Sequence, residues 1–340
     1  MTKRISIRDV AASAGVSVTT VSHVLNATPG TRVKPETRDR VQQVARELGY
    51  QASTIARSLR TQRSHTIAMI SDEIATTPHA GRIILGAQEA ASSHGLLLML
   101  VNSGGDPAVE EAEIQALAQR QVDGFIYATM YHREVELPDA LRRVPTVLLD
   151  ARCEDPAVPS AVPDEYAGGR AATQALIDAG HRRIGYANNA DDIPATRGRL
   201  AGHLDALAAA GIDPDPALVV TAPSDTGGGL SAGRTLLALP DRPTAVFAFN
   251  DRMAMGVYHA ATERGVDIPR ELSVVGFDNQ ELIAEGLRPP LTTMALPHYE
   301  MGMWAVEALV ARIRDPHTPA EQVELPCPLV DRASVAPPET

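Results

Sequence analysis

Residues 5 to 26, Ile-Ser-Ile-Arg-Asp-Val-Ala-Ala-Ser-Ala-Gly-Val-Ser-Val-Thr-Thr-Val-Ser-His-Val-Leu-Asn, read as two short helices joined by a tight turn. Val10 and Ala14 lie four apart on the first helix and Val21 and Leu25 four apart on the second, so each offers an apolar stripe to the other. Gly15 makes the turn. Ser17 is placed to cap the second helix by accepting a backbone N–H of its first turn, which leaves Val18, Thr19, Ser22 and His23 facing outward. A solvated helix usually carries Glu and Lys on such a face. Hydroxyls and an imidazole there suit a helix that reads a DNA groove, the plainer alternative being a helical hairpin that belongs to a larger core.

Charge favours the first alternative. Residues 1 to 64 hold eleven Lys or Arg against four acids, an excess of seven positive charges, whereas the whole chain carries −11 and the other 276 residues therefore −18. An acidic body repels nucleic acid while a basic head attracts it, so phosphate contacts are expected from the head alone.

Working outward, a third helix is expected from Pro35 to Leu48, ended by Gly49, with Val41, Val44, Ala45 and Leu48 covering the helix pair. Ser53 to Arg60 could form a helix of about two turns, too short to persist alone because nucleation is costly. Strand-like apolar runs then alternate with Ala-rich helical segments: Thr66 to Ile70, Leu96 to Asn102, Gly124 to Ala128, Thr146 to Asp150, Ile184 to Asn188, Leu218 to Thr221, Ala245 to Asn250, Ser273 to Asp278 and finally Gln322 to Asp331. Such runs describe an α/β body of doubly wound parallel sheets in two similar halves. Ligands in open α/β sheets bind beyond the carboxyl ends of strands. The polar residues there are Asp72, Glu73, Asn102, Asp150, Asn188, Asn189, Asn250, Asp251 and Asp278.

The remaining chemistry is sparse. Cys153 and Cys327 have neither metal-ligand spacing nor a disulfide framework around them, so buried free thiols in a reducing cytoplasm are expected, with no metal and no cofactor. The longest apolar run, Leu96 to Val101, is far too short to span a bilayer, and no apolar signal region opens the chain. Gly227-Gly228-Gly229 ahead of a helix fits neither phosphate-loop spacing and reads as a flexible start to that helix. Nothing argues for catalysis.

At this point the residues are recognisable. The chain resembles the LacI/GalR family of bacterial transcriptional repressors along essentially its whole length, through Asp9-Val10-Ala11, Gly15-Val16-Ser17, Thr20-Val21-Ser22, Asn26, Thr37-Arg38, Leu48-Gly49-Tyr50, Ala56-Arg57-Ser58-Leu59, Gly180-His181, Arg199-Leu200-Ala201-Gly202, Asn250-Asp251, Val275-Gly276-Phe277-Asp278 and Pro290-Leu291-Thr292-Thr293. The resemblance implies a helix-turn-helix head on a periplasmic-binding-protein-like body, acting as a homodimer on pseudo-palindromic double-stranded operator DNA. It puts base reading on Val18, Thr19 and His23 and phosphate contacts on Ser17, Thr20, Ser22 and Asn26. Leu59, flanked by Arg60, either docks on the body or, as the family implies, wedges into the minor groove.

By the same likeness Arg199, Asn250 and Asp278, with Asp150 and Asp72, bind an effector in a cleft of the body; the alternative is that Arg199 and Asp278 only pair across the cleft to hold it shut. A guanidinium fork and carboxylates suit the vicinal hydroxyls of a sugar or glycoside, with a purine or nucleoside as the other class. Where several relatives place an aromatic ring after the Leu218 to Thr221 strand, this chain has Pro223-Ser224-Asp225-Thr226, so stacking from that side is in question. Alanine at Arg199 or Asp278 is expected to spare DNA binding and remove the response to ligand. An exported sugar-binding protein would share the body but has no use for a basic head. The expected domains are a head at 1–51, a hinge at 52–64 and a body at 65–340, whose first half takes about 65–162 and 294–324 and its second about 163–293 and 325–340. Without an apolar heptad tail, dimers are expected and not tetramers.

Overall fold

Ser6 begins the first helix. Its hydroxyl accepts the Asp9 N–H at 3.4 Å while the Asp9 carboxylate accepts the Ser6 N–H at 2.8 Å, a reciprocal cap that satisfies two otherwise unpaired donors. The computed structural model describes residues 5–25, 31–50, 63–77 and 80–339; Asn26, Leu59 and Arg60 lie outside these. The described residues divide into two compact units, Met1–Ser64 and His65–Thr340.

In the head, helix Ile7–Ala14 ends at Gly15, whose φ of +63° is the left-handed conformation glycine adopts without penalty. Ser17 accepts the Thr20 N–H at 3.1 Å and starts helix Val18–Leu25. The expected stripe of Val21 and Leu25 differs in detail. Val21 and Val24 are buried and Leu25 only partly, because positions i, i+3 and i+4 share one face and Val24 takes its centre. Helix Pro35–Glu47 closes the head with Val41 and Ala45 buried, and its Arg40 Nε donates to the Ala14 carbonyl at 3.0 Å.

The body has two six-stranded sheets. The first runs in the order β2 (Leu97–Asn102), β1 (Thr66–Ser71), β3 (Phe125–Glu134), β4 (Thr146–Arg152), β5 (Ser160–Pro163) and β11 (Gln322–Leu325), all parallel. The second runs β7 (Val219–Ala222), β6 (Ile184–Asn189), β8 (Ala245–Ala248), β9 (Ser273–Asp278), β10 (Thr292–Ala295) and β12 (Leu329–Val330), parallel except for the last pair. Most strands are buried along their length, as sheets covered on both faces require. The strand expected over Gln322 to Asp331 is two short strands, one in each sheet, interrupted at Pro326 and Pro328, which cannot donate to a ladder. The chain passes between the sheets three times, after Pro163, after Ala295 and after Leu325.

Glycines set the closest helix contacts. A Cβ on Gly228 would lie 2.0 Å from the Pro223 carbonyl oxygen, one on Gly229 2.2 Å from that of Met253, and one on Gly256 2.3 Å from the Thr226 oxygen. Gly228 and Gly229 are therefore close-packing residues and not the flexible helix start expected of them, and Gly229 with Gly256 seats helix Thr226–Leu237 against Asp251–Arg264. Cys327 is buried and Cys153 partly buried; both are free thiols. No helix among the described residues is long and apolar enough to cross a membrane.

Candidate functional site

On the head, Ser17, Val18 and Thr19 are exposed, while Thr20, Ser22 and His23 are partly buried. Val18 keeps 41% of its surface accessible at the start of this helix. The Ser17 hydroxyl lies 2.9 Å from that of Thr20, so these two side chains fix each other at the helix start.

In the body, the strand ends of both sheets enclose a cavity of about 270 Å³. Asp150, Arg199, Asn250 and Asp278 all line it; Asp72 does not. Asp72 instead accepts Arg133 Nη2 at 2.7 Å and the Glu73 N–H at 2.7 Å, so it organises the rim. A larger cavity of about 730 Å³ lies alongside, with walls from Leu282, Pro297, Leu325 and Pro328, and shares Thr77, Arg252, Asp278 and Leu296 with the smaller one.

Arg199 is the centre of the polar arrangement. Its Nε donates to Glu165 at 2.6 Å and its Nη1 to the Phe249 carbonyl at 2.6 Å and to Asp278 at 3.5 Å. The guanidinium lies 3.6 Å over the Phe277 ring and 4.5 Å from the Phe249 ring centre. Burial works against its charge, but Glu165 and Asp278 more than offset it and hold the pKa above the ordinary value. Nη2 enters none of these bonds. Arg199 and Asp278 stand on helix Pro194–Ala209 and strand β9, both on the side of the second sheet, so their pair does not bridge the two sheets and cannot hold the cleft shut.

Backbone contact places this group. A Cβ on Gly169 would lie 2.5 Å from the Arg199 carbonyl oxygen and one on Gly202 2.2 Å from the Tyr166 oxygen, so helices Glu165–Asp178 and Pro194–Ala209 pack main chain on main chain. That contact carries Glu165 to Arg199. Glu165 is missing from the sequence expectations because β5, the strand before it, is only four residues long and does not stand out. Reading Ser160 to Pro163 as a strand would point to Glu165 through its carboxyl end.

Asn250 is committed to structure. Its Oδ1 accepts the Met253 N–H at 2.8 Å as the cap of helix Asp251–Arg264, and its Nδ2 donates to the Ser224 carbonyl at 3.0 Å. Asp251 accepts the Gln280 N–H and the Thr293 hydroxyl, each at 2.6 Å, and belongs to the same framework. Asp150 is different. It is buried, its φ is +55°, and its Oδ1 has no hydrogen-bond partner among the described residues. Burial, then the nearby Glu165, pushes its carboxyl well above the ordinary carboxylate range. His132, also unforeseen, lines the cavity with a partnerless Nδ1, and burial followed by Arg152, Arg199 and Arg197 brings its pKa down to about 4, so the ring is neutral. No cluster among the described residues could hold a metal ion.

Known proteins similar to this chain identify its family. Residues 6–53 match the model of bacterial regulatory proteins, lacI family, and residues 173–335 that of a periplasmic binding protein-like domain. The chain is 35% identical to the ribose operon repressor of Escherichia coli (strain K12) over 97% of its own length and 99% of that protein. It is 34% identical to the HTH-type transcriptional repressor PurR of Photobacterium profundum, over 97% and 98% of the two chains. The crystal structure of the Lac repressor dimer bound to operator and the anti-inducer ONPF is similar with a TM-score of 0.80 at 26% identity, covering 98% of this chain and 100% of that one.

Proposed function

The chain belongs to the lacI family of bacterial regulatory proteins and is a DNA-binding transcriptional regulator with an effector-binding body, and we propose that it is a cytoplasmic homodimeric repressor whose operator affinity is set by a monosaccharide in the 270 Å³ cleft. The observation that carries the effector class is the combination of a small cavity with Asp150, Arg199 and Asp278 on its walls, a set that offers both acceptors and a donor fork to adjacent hydroxyls. The ribose operon repressors among the relatives favour the same class.

PurR relatives at equal identity make a purine the second reading. A planar base is held best between two flat faces, and with Phe249 and Phe277 engaged by the Arg199 guanidinium the accessible aromatic ring on the cavity wall is Tyr131, on one side only. That occupation favours the sugar. On the head, Ser17, Val18, Thr19, Thr20, Ser22 and His23 are proposed to meet the operator, with Asn26, Leu59 and Arg60 completing the contact.

Titration of the operator by the full chain, with and without D-ribose, D-galactose and hypoxanthine over a salt series, tests both halves. Steep weakening with salt and a response to a sugar are expected. A flat salt dependence overturns the role of the basic head. A response to hypoxanthine alone overturns the sugar.

A further inference from the structure

Strands β3 and β4 pair in regular parallel register as far as Ala128 opposite Leu149, and resume at Arg133 opposite Ala151. Four residues, Thr129 to His132, thus stand against the single residue Asp150. Such a bulge leaves the ladder locally unpaired and re-aims the side chains it carries. Here it is pinned from within: the buried Thr129 hydroxyl donates to the Asp150 carbonyl at 2.6 Å and lies 3.0 Å from the Tyr131 carbonyl. Met130, Tyr131 and His132 all line the cavity as a result.

The bulge is also braced from behind. Arg133 lies over one face of the Tyr131 ring at 5.4 Å and is itself held by Asp72 at 2.7 Å. Tyr131 keeps 46% of its surface accessible, unlike Phe277 and Phe249, which are buried under Arg199. The opposite wall contributes Ser224 and no aromatic ring from the segment after β7. His132 and Asp150, both on the cavity wall, each bring a buried polar atom with no partner among the described residues. A buried acceptor without a partner is costly unless a ligand or water completes it.

From these observations we infer that the bulged segment Thr129 to His132, braced by the Asp72–Arg133 pair, is the element that selects the effector: Tyr131 offers its ring to the apolar face of a neutral monosaccharide, while His132 and Asp150 engage its hydroxyls. The inference rests on the proposal that the cleft binds a sugar. It assigns selectivity to the first sheet and leaves the second, with its pre-paired Arg199, as the anchoring wall. Asp72 acts as a positioning residue through Arg133. The neutral imidazole can donate from one nitrogen and accept at the other, which suits a hydroxyl and gives no charge to attract a sugar phosphate.

Isothermal titration of the full chain with D-ribose, D-galactose and D-ribose 5-phosphate decides it. Tyr131→Ala and His132→Phe are each expected to weaken binding of the preferred sugar about fivefold to tenfold, with Tyr131→Phe within about twofold of wild type. Asp72→Asn is expected to change the ratio of affinities for the two neutral sugars while the ligand-free protein still melts in one cooperative transition, which loss of fold would not produce. Wild-type affinity and an unchanged sugar ratio in Tyr131→Ala and His132→Phe overturn the inference alone, as does preference for the phosphate ester. Failure of the wild-type protein to bind any of the three overturns the sugar reading and this inference with it.

Discussion

The head and the body hold their functional side chains in opposite ways. On the head, Ser17, Val18 and Thr19 are exposed and are fixed only by their own helix start. In the body, Asp150, Arg199 and Asn250 are each at most 3% exposed, and Arg199 is bound on two sides by carboxylates before any ligand arrives. A surface that meets a long, uniform polyanion can leave its groups in water and let the partner's charge supply the attraction. A cavity that must recognise a small molecule has to arrange charges in advance, since the ligand brings too few contacts to reorganise them. The difference teaches that the same substitution has unlike meanings in the two units: recognition on the head, architecture in the body.

Arg199→Ala gives the strongest test of that contrast. Removing one partner of a buried ion pair leaves Glu165 and Asp278 uncompensated, so the body is expected to lose about 3–5 kcal/mol in denaturant unfolding, against no more than about 0.5 kcal/mol for Arg38→Ala on the exposed head. Equal costs would break the contrast. The expectation from sequence that Arg199→Ala merely silences the ligand response is revised accordingly, because the main partners of Arg199 are the protein's own carboxylates.

His23→Ala should leave the body's unfolding untouched and weaken binding to the preferred operator by about 1–3 kcal/mol, with relaxed choice at one symmetric pair of base positions. Selection from randomised operators measures it; an unchanged consensus would remove His23 from the reading face.

Asp150→Asn sharpens the contrast in the other direction. The folded protein holds the Asp150 proton to higher pH than the unfolded chain does, so this carboxyl's contribution to stability is complete below its unfolded pKa and is lost as pH rises through the folded one. Asparagine removes that loss. The variant is expected to gain about 1–2 kcal/mol at pH 7 and nothing near pH 4, while binding sugar less well. Thermal melts at the two pH values read it, and a gain independent of pH would count against the buried acid.

The smallest effect belongs to the cap. Ser6→Ala should cost about 1 kcal/mol through loss of the reciprocal bond with Asp9. Melting of the chain followed by a probe confined to residues 1–64 would show it; a cost several times larger would mean that Ser6 does more than cap.

What can be read in advance follows the length and purity of each signal. Long apolar runs such as Ser273 to Asp278 declare a buried strand, and the strand matches that stretch residue for residue. The helix pair at the N-terminus declares itself through Gly15 and Ser17, whose roles are local. Ser160 to Pro163 is only four residues long and flanked by prolines, and Thr292 to Ala295 is as short, so neither rises above loop composition. The far end of β3 runs through Tyr131, His132, Arg133 and Glu134, polar residues that mark a loop in any pattern reading although they continue the strand. The first and last of these gaps hide Glu165 and His132. Asn250 is visible, but its double use as a helix cap and a tie to Ser224 depends on partners far apart in the chain.

The main-chain contact of Gly169 and Gly202 has a genetic consequence. A single methyl group at either position collides with backbone, which has no rotamer to yield, so the helix bearing Arg199 has to move as a unit. Inherited failure to answer the effector should therefore arise at these two glycines as well as at the cavity wall. Such alleles would look, on a map of the ligand site alone, as though they lay in the wrong place.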